Sequence, residues 1–292
     1  MEGSSISRRE ILLGIATASL GTLINMAKEG TMTSDKLIKN GRLKQSVSYW
    51  CYEERFPLPD FCRSVANIGL TAIDLLVEEE WKMARQFGIT CSIGYAGAGE
   101  IPTGLNEKAN HHLIIKNLEQ NIPRAARAGV PNIITFFGNR RRMPDAEAVA
   151  NSIECLNRAK KVAEDYGVTI CIELLNSKVD HKDYLGDHTS YGVEIVKAVG
   201  SPRVKLLYDI YHMQIMEGDI IDTINKYNQH IGHYHTGGVP GRHEINRSQE
   251  LNYPAICKAI LDTGFTCYLA HEFTLTYDPL TSLREAVAIF DV

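Results

Sequence analysis

From residue 44 onward, short runs of branched and aromatic residues alternate with longer segments whose apolar positions recur every three or four residues. That alternation marks repeated strand and helix units laid into a parallel sheet. Eight runs read as strands: 44–49, 71–76, 89–95, 132–137, 168–173, 204–209, 231–235 and 266–273. Segments of helical period lie between them, as at 146–166 and 253–262. Gly69, Gly88, Gly129, Gly167, Gly200 and Gly264 each stand just before a strand, where a preceding helix stops on left-handed backbone. The expected fold is α/β, a (β/α)8 TIM barrel formed by residues 35–292 as one catalytic domain. A doubly wound sheet would commonly put a glycine-rich phosphate turn after its first strand, and Trp50-Cys51-Tyr52-Glu53-Glu54 stands there instead.

Residues 1–34 follow another pattern. Ser7-Arg8-Arg9-Glu10-Ile11-Leu12-Leu13 precedes an uncharged stretch from Gly14 to Met26, which resembles a twin-arginine export leader. The apolar stretch is short for a membrane span, and its basic flank lies on the N-terminal side. The expectation is recognition by the twin-arginine export machinery and a periplasmic location, with the leader cleaved near Ala27 or kept as an anchor, and a cytoplasmic location if the leader does not function. The folded chain would take up any metal before export.

Composition adds exclusions. The 292 residues are 44% hydrophobic and 23% charged, enough apolar matter for a sizeable core. A formal charge of −4 gives no broad attraction for nucleic acid, and none is expected as a partner. The seven cysteines lack paired zinc-finger spacing, so buried free thiols are expected.

In such a barrel the C-terminal strand ends converge on the catalytic face. Glu173, Asp209, His235 and Glu272 stand at the ends of the last four predicted strands. Alternation turns Cys171 and Glu173 inward if Ile170 and Ile172 pack under helices. The same parity turns Leu207 and Asp209 inward, sets His233 below His235, and selects Glu272 over His271. Three converging carboxylates repel unless a cation neutralises them. With one imidazole they form a mixed oxygen and nitrogen set suited to one octahedral divalent ion, Mn²⁺, Mg²⁺ or Co²⁺. Such a site supports proton transfer α to a carbonyl through an enediolate, with Glu173 and Glu272 able to address opposite faces of the substrate.

Asp209-Ile210-Tyr211-His212-Met213-Gln214-Ile215-Met216-Glu217-Gly218-Asp219, Pro240-Gly241-Arg242-His243-Glu244 and Glu250-Leu251-Asn252-Tyr253 resemble the hydroxypyruvate isomerase family, xylose-isomerase-like barrels related to ketose 3-epimerases. The resemblance implies that Glu173 and Glu272 are metal ligands and the catalytic acid–base pair, with Asp209 a further ligand. It implies that His212 and Arg242 bind substrate oxygens, the Arg242 fork suiting a carboxylate. The alternative for Arg242 is a loop ion pair with Glu244. Family members commonly carry glutamine where this chain has His235, and the ketose epimerases carry histidine.

The expected function is a metal-dependent isomerase interconverting hydroxypyruvate and tartronate semialdehyde, acting on a small sugar or keto acid, with a homo-oligomer expected. A ketose 3-epimerase, a metal-dependent endonuclease of the same shape and a non-catalytic sugar-binding barrel are the alternatives. Two loops on the catalytic face complete the reading: Arg140 to Arg142 as a solvated charge run or an anion attractor, and 176–188 as a lid. His111, His112, His181 and His188 read as surface or capping residues.

Overall fold

The computed structural model describes residues 36–292, so the expected leader lies outside the described residues. The strands are β1 (Lys44–Val47), β2 (Ala72–Ile73), β3 (Thr90–Cys91), β4 (Asn132–Phe136), β5 (Thr169–Glu173), β6 (Val204–Asp209), β7 (Ile231–Thr236) and β8 (Tyr268–His271). The helices are α1 (Leu58–Ile68), α2 (Glu78–Arg85), α3 (Lys108–Ala128), α4 (Asp145–Tyr166), α5 (Thr189–Val199), α6 (Ile210–Met216), α7 (Ile220–Tyr227), α8 (Tyr253–Asp262) and α9 (Pro279–Phe290). All pairings are parallel, in the order β1-β8-β7-β6-β5-β4, with β2 and β3 paired apart. Single bridges join the two sheets, Ser48 to Asp74 at one seam and Gly94 to Ile133 at the other, and the ring closes. This is a closed (β/α)8 barrel.

The six glycine stops all adopt left-handed backbone, φ between 65° and 109°. Strands β2 and β3 are two residues each, much shorter than the runs that predict them. Leu75 leaves the strand region at φ 57° just after Asp74, and that ends β2. Beyond β3, a side chain at Gly94 would lie 2.6 Å from the Trp81 ring, which packs over the seam and donates its Nε1–H to Leu76 O at 2.9 Å.

The strand ends that converge on the site are aligned by one irregularity. Leu206 pairs with Ile231 but Leu207 pairs with His233, leaving Gly232 as the extra residue of a bulge. A Cβ there would come within 3.0 Å of Cys171 Sγ and 3.1 Å of Lys205 Cβ, so glycine fits the bulge without displacing its neighbours. Past it, Asp209 pairs with His235 and the two side chains enter the barrel together.

The interior departs from the usual stack of branched residues. Ser46, Asp74, Ser92, Asn132 and His233 are buried near the axis. Ser46 Oγ lies 2.6 Å from Ser92 Oγ, Ser92 Oγ donates to Asp74, and Asn132 Nδ2 reaches Ser92 O at 3.3 Å. Each polar group there finds a partner, as burial requires.

At the opposite edge of the chain, Asp291 fastens the entry to β1. Its carboxylate accepts the backbone N–H of Lys39, Asn40 and Gly41 at 2.6, 3.0 and 2.8 Å. The seven cysteines are all free, five buried and Cys51 and Cys267 half-buried.

Candidate active site at the mouth of the barrel

The four strand-end residues meet. One ligand atom from each of Glu173, Asp209, His235 and Glu272 lies within 4.8 Å of the others, and all four side chains are buried. His235 Nδ1 is the hub, 2.8 Å from Glu272 Oε2, 3.1 Å from Glu173 Oε1 and 4.0 Å from Asp209 Oδ2. Its other nitrogen, Nε2, is 2.8 Å from Asp74 Oδ2, and His233 Nε2 is 3.0 Å from the same oxygen. Asp74 thus orients the His235 ring, as carboxylates behind metal-bound imidazoles do. Sequence reasoning missed Asp74, although it is the acidic residue in the 71–76 run and stands near its C-terminal end.

Trp50 is a second omission. It follows β1 and donates its Nε1–H to Glu272 Oε1 at 2.6 Å. Its ring faces the Arg242 guanidinium at 5.4 Å, with Tyr211 at 5.5 Å. Arg242 therefore turns into the site: Nη2 lies 2.7 Å from Glu272 Oε2 and 3.6 Å from Asp209 Oδ2. Glu244 is not its partner. That carboxylate accepts instead from Thr276 N and Thr276 Oγ1, at 2.5 and 2.8 Å.

His212 stands one turn into α6, whose first turn is capped by Asp209 Oδ1 accepting His212 N–H at 3.1 Å. Asn176 Nδ2 reaches His212 Nδ1 at 2.7 Å and sets the ring. His212 Nε2, Arg242 Nε and Asp209 Oδ2 are buried without hydrogen-bond partners. Such groups are costly to strand. Here they are grouped where a cation and substrate oxygens would satisfy them.

The electrostatics carry the same imprint. Burial, with the Glu272 charge beside it, pushes Asp209 up to about 7 against the pull of Arg242. Burial also raises Glu173 above its ordinary place in the carboxylate range. Glu272 is held well below that range, the burial penalty being outweighed by His235 and Arg242. Three acids around one imidazole form a set that a divalent ion fits: oxygen-rich, one nitrogen ligand, and a bare carboxylate oxygen on Asp209.

The connecting loops are more firmly tied than their sequence suggests. In 176–188, Tyr184 is buried and donates to Glu173 O at 2.8 Å, while Asp180 Oδ2 accepts from Tyr211 OH at 2.8 Å. His181 is a correction to the surface reading, since its ring lies 5.3 Å from that of His212 at the edge of the site. His111 is another, buried with Nε2 2.8 Å from Leu105 O. Arg140 and Arg141 pair with Asp187 at 3.4 Å and Glu107 at 2.5 Å, which engages much of the basic run.

A family model described as xylose isomerase-like TIM barrel matches residues 61–291. A putative hydroxypyruvate isomerase of Homo sapiens is 25% identical over 255 residues, covering 80% of this chain and 90% of that protein. A structure of AP endonuclease, family 2, from Brucella melitensis superposes with a TM-score of 0.76 at 21% identity, covering 82% of this chain and 96% of that one. D-psicose 3-epimerase with D-tagatose from Clostridium cellulolyticum H10 gives 0.68 at 21% identity, covering 85% and 97%. At these identities the two structures speak for the fold.

Proposed function

The chain belongs to the xylose isomerase-like TIM barrel family, and from that premise we propose that it is a metal-dependent isomerase acting on a small α-hydroxy carbonyl acid, hydroxypyruvate being the expected substrate. Curated relatives are isomerases and epimerases. The observation that carries the reading is the gathering of Glu173, Asp209, His235 and Glu272 within 4.8 Å at the mouth of the barrel.

Those four residues would hold one divalent cation, which when bound supplies positive charge against the anion that builds as a substrate proton is lost. Glu173 and Glu272 rise from β5 and β8 and carry the proton, one carboxylate removing it from the carbon beside the carbonyl and the other returning it to the former carbonyl carbon, while the hydroxyl proton passes to the former carbonyl oxygen. Arg242, braced by Trp50 and Tyr211, presents its partnerless Nε to the substrate carboxylate. His212 Nε2 is set to bind a substrate oxygen while Asn176 holds the opposite nitrogen. Burial of the whole group excludes bulk water and strengthens each of these contacts.

A ketose 3-epimerase is the second reading. His235, the residue that ketose epimerases carry at this position, favours it. Proton exchange followed by NMR in D₂O separates the two, using hydroxypyruvate, tartronate semialdehyde and a set of ketoses with an EDTA-treated control. Metal-dependent exchange α to the carbonyl of the three-carbon acids is the expected result. Exchange at C3 of a ketose assigns the epimerase instead, and no exchange with any of them overturns both.

A further inference from the structure

At the end of the barrel away from the candidate metal centre, a cavity of about 380 Å³ opens among Asn132, Arg203, Lys205, Thr266 and Cys267. Cys267 stands just before β8, is half-buried and lines this cavity. Asn132 Nδ2 donates to Cys267 Sγ at 3.2 Å and lies 3.4 Å from His233 Nδ1, which sets the imidazole beside the thiol. Behind it, His233 Nε2 is 3.0 Å from Asp74 Oδ2. A thiol, an imidazole and a carboxylate are therefore in line, with an amide donor at the sulfur and two cationic side chains lining the cavity.

We propose that Cys267 is a nucleophilic thiol site for small soft electrophiles, hydroperoxides first among them. The thiolate is the reacting form, its proton leaving to water through the open side of the cavity. The sulfur attacks one peroxide oxygen, the S–O bond forms and the O–O bond breaks. Sulfur is oxidised by two electrons to the sulfenic acid, and the second oxygen departs as hydroxide, or as alkoxide from an alkyl hydroperoxide, which takes a proton to become water or the alcohol. With an alkylating carbon the same lone pair forms an S–C bond and the halide leaves with the electron pair.

The other thiols set the contrast. Burial pushes Cys51, Cys62, Cys91, Cys155, Cys171 and Cys257 up. For Cys267 burial acts the same way, but His233 and the Asn132 amide outweigh it and hold the thiol below its ordinary value. Cys267 is not among the four residues of the candidate metal centre; the two sites share only Asp74, whose Oδ2 lies against both His233 and His235.

The test uses the full folded chain. Limiting iodoacetamide followed by peptide mass mapping is expected to label Cys267 at least about tenfold faster than Cys51, the other half-buried thiol. Hydrogen peroxide in the presence of dimedone is expected to leave the adduct on the Cys267 peptide. Asn132→Ala widens the cavity yet removes the donor, so labelling of Cys267 should slow several-fold, whereas a thiol that reacts through access alone would be labelled faster. Labelling of Cys51 at an equal or higher rate, absence of the dimedone adduct, or unchanged or faster labelling in Asn132→Ala overturns the proposal.

Discussion

His235 has both ring nitrogens committed, Nδ1 toward Glu173 and Glu272 at 3.1 and 2.8 Å and Nε2 toward Asp74 at 2.8 Å. A neutral imidazole that donates from Nε2 leaves the Nδ1 lone pair free for a cation, and Asp74 selects that tautomer. Asp74→Asn is expected to weaken Mn²⁺ binding by about 10- to 100-fold with the fold retained, as read by calorimetric titration beside far-UV circular dichroism. Unchanged affinity would remove Asp74 from the proposed ligand support. Glu173→Gln and Glu272→Gln each keep the volume of the side chain and delete its basicity. Each should lower proton exchange by about 10²- to 10⁴-fold, with the melting temperature near that of the parent protein. Retained exchange in either variant would dismiss the two-glutamate scheme.

Among the elements, β2 and β3 depart furthest from their sequence signal. Apolar runs at 71–76 and 89–95 resemble those of the longer strands, but only two residues of each pair as strand. The rest is given over to Asp74 and Ser92, whose side chains serve the interior network. Polar demand at the axis is a tertiary fact that periodicity does not carry. The junction of the barrel's first and last segments is likewise invisible in sequence, since Asp291 and residues 39–41 are far apart along the chain. Burial alone would raise the Asp291 carboxyl, but the N–H groups of Gly41, Lys39 and Asn40 hold it below its ordinary value. Its contribution to stability is therefore present above the unfolded carboxyl value and is lost as pH falls through the folded one. Asp291→Ala should cost about 1–2 kcal/mol in urea unfolding at neutral pH, with the loss shrinking in acid. An equal loss at every pH would mean the carboxylate is not the fastening group.

For the molecule as a whole, the candidate site sets a conflict between stability and charge. Asp209 is pushed up to about 7 when folded, whereas an unfolded aspartate titrates near about 4. Between those values the folded state holds a proton that the unfolded state has released, so in the cation-free protein this contribution falls as pH rises from about 4 to about 7. A cation competes with that proton. The gain in melting temperature on adding Mn²⁺ should accordingly be greater at pH 8 than at pH 5.5, measured by scanning fluorimetry after EDTA treatment. An equal gain at both would mean the ion binds elsewhere. The twin-arginine leader is a separate proposal: Arg8→Lys with Arg9→Lys should hold the protein in the cytoplasmic fraction, and unchanged export would dismiss that route.

The sequence by itself determined the eight-fold alternation, the left-handed glycine stops and the inward parity of Glu173, Asp209, His235 and Glu272, because these follow from local backbone geometry and side-chain direction. It brought Arg242 and His212 forward only through resemblance. The tertiary structure decided that Arg242 turns to Glu272 and Asp209 while Glu244 serves Thr276. It also decided that Asp74 stands behind His235, that Trp50 caps Glu272, and that His181 reaches His212. Each of these depends on which strand ends come together when the ring closes, and on a one-residue bulge at Gly232 that sets the register between β6 and β7. Closure is a long-range packing outcome, and no window of sequence short enough to be read for period contains both partners of such a contact.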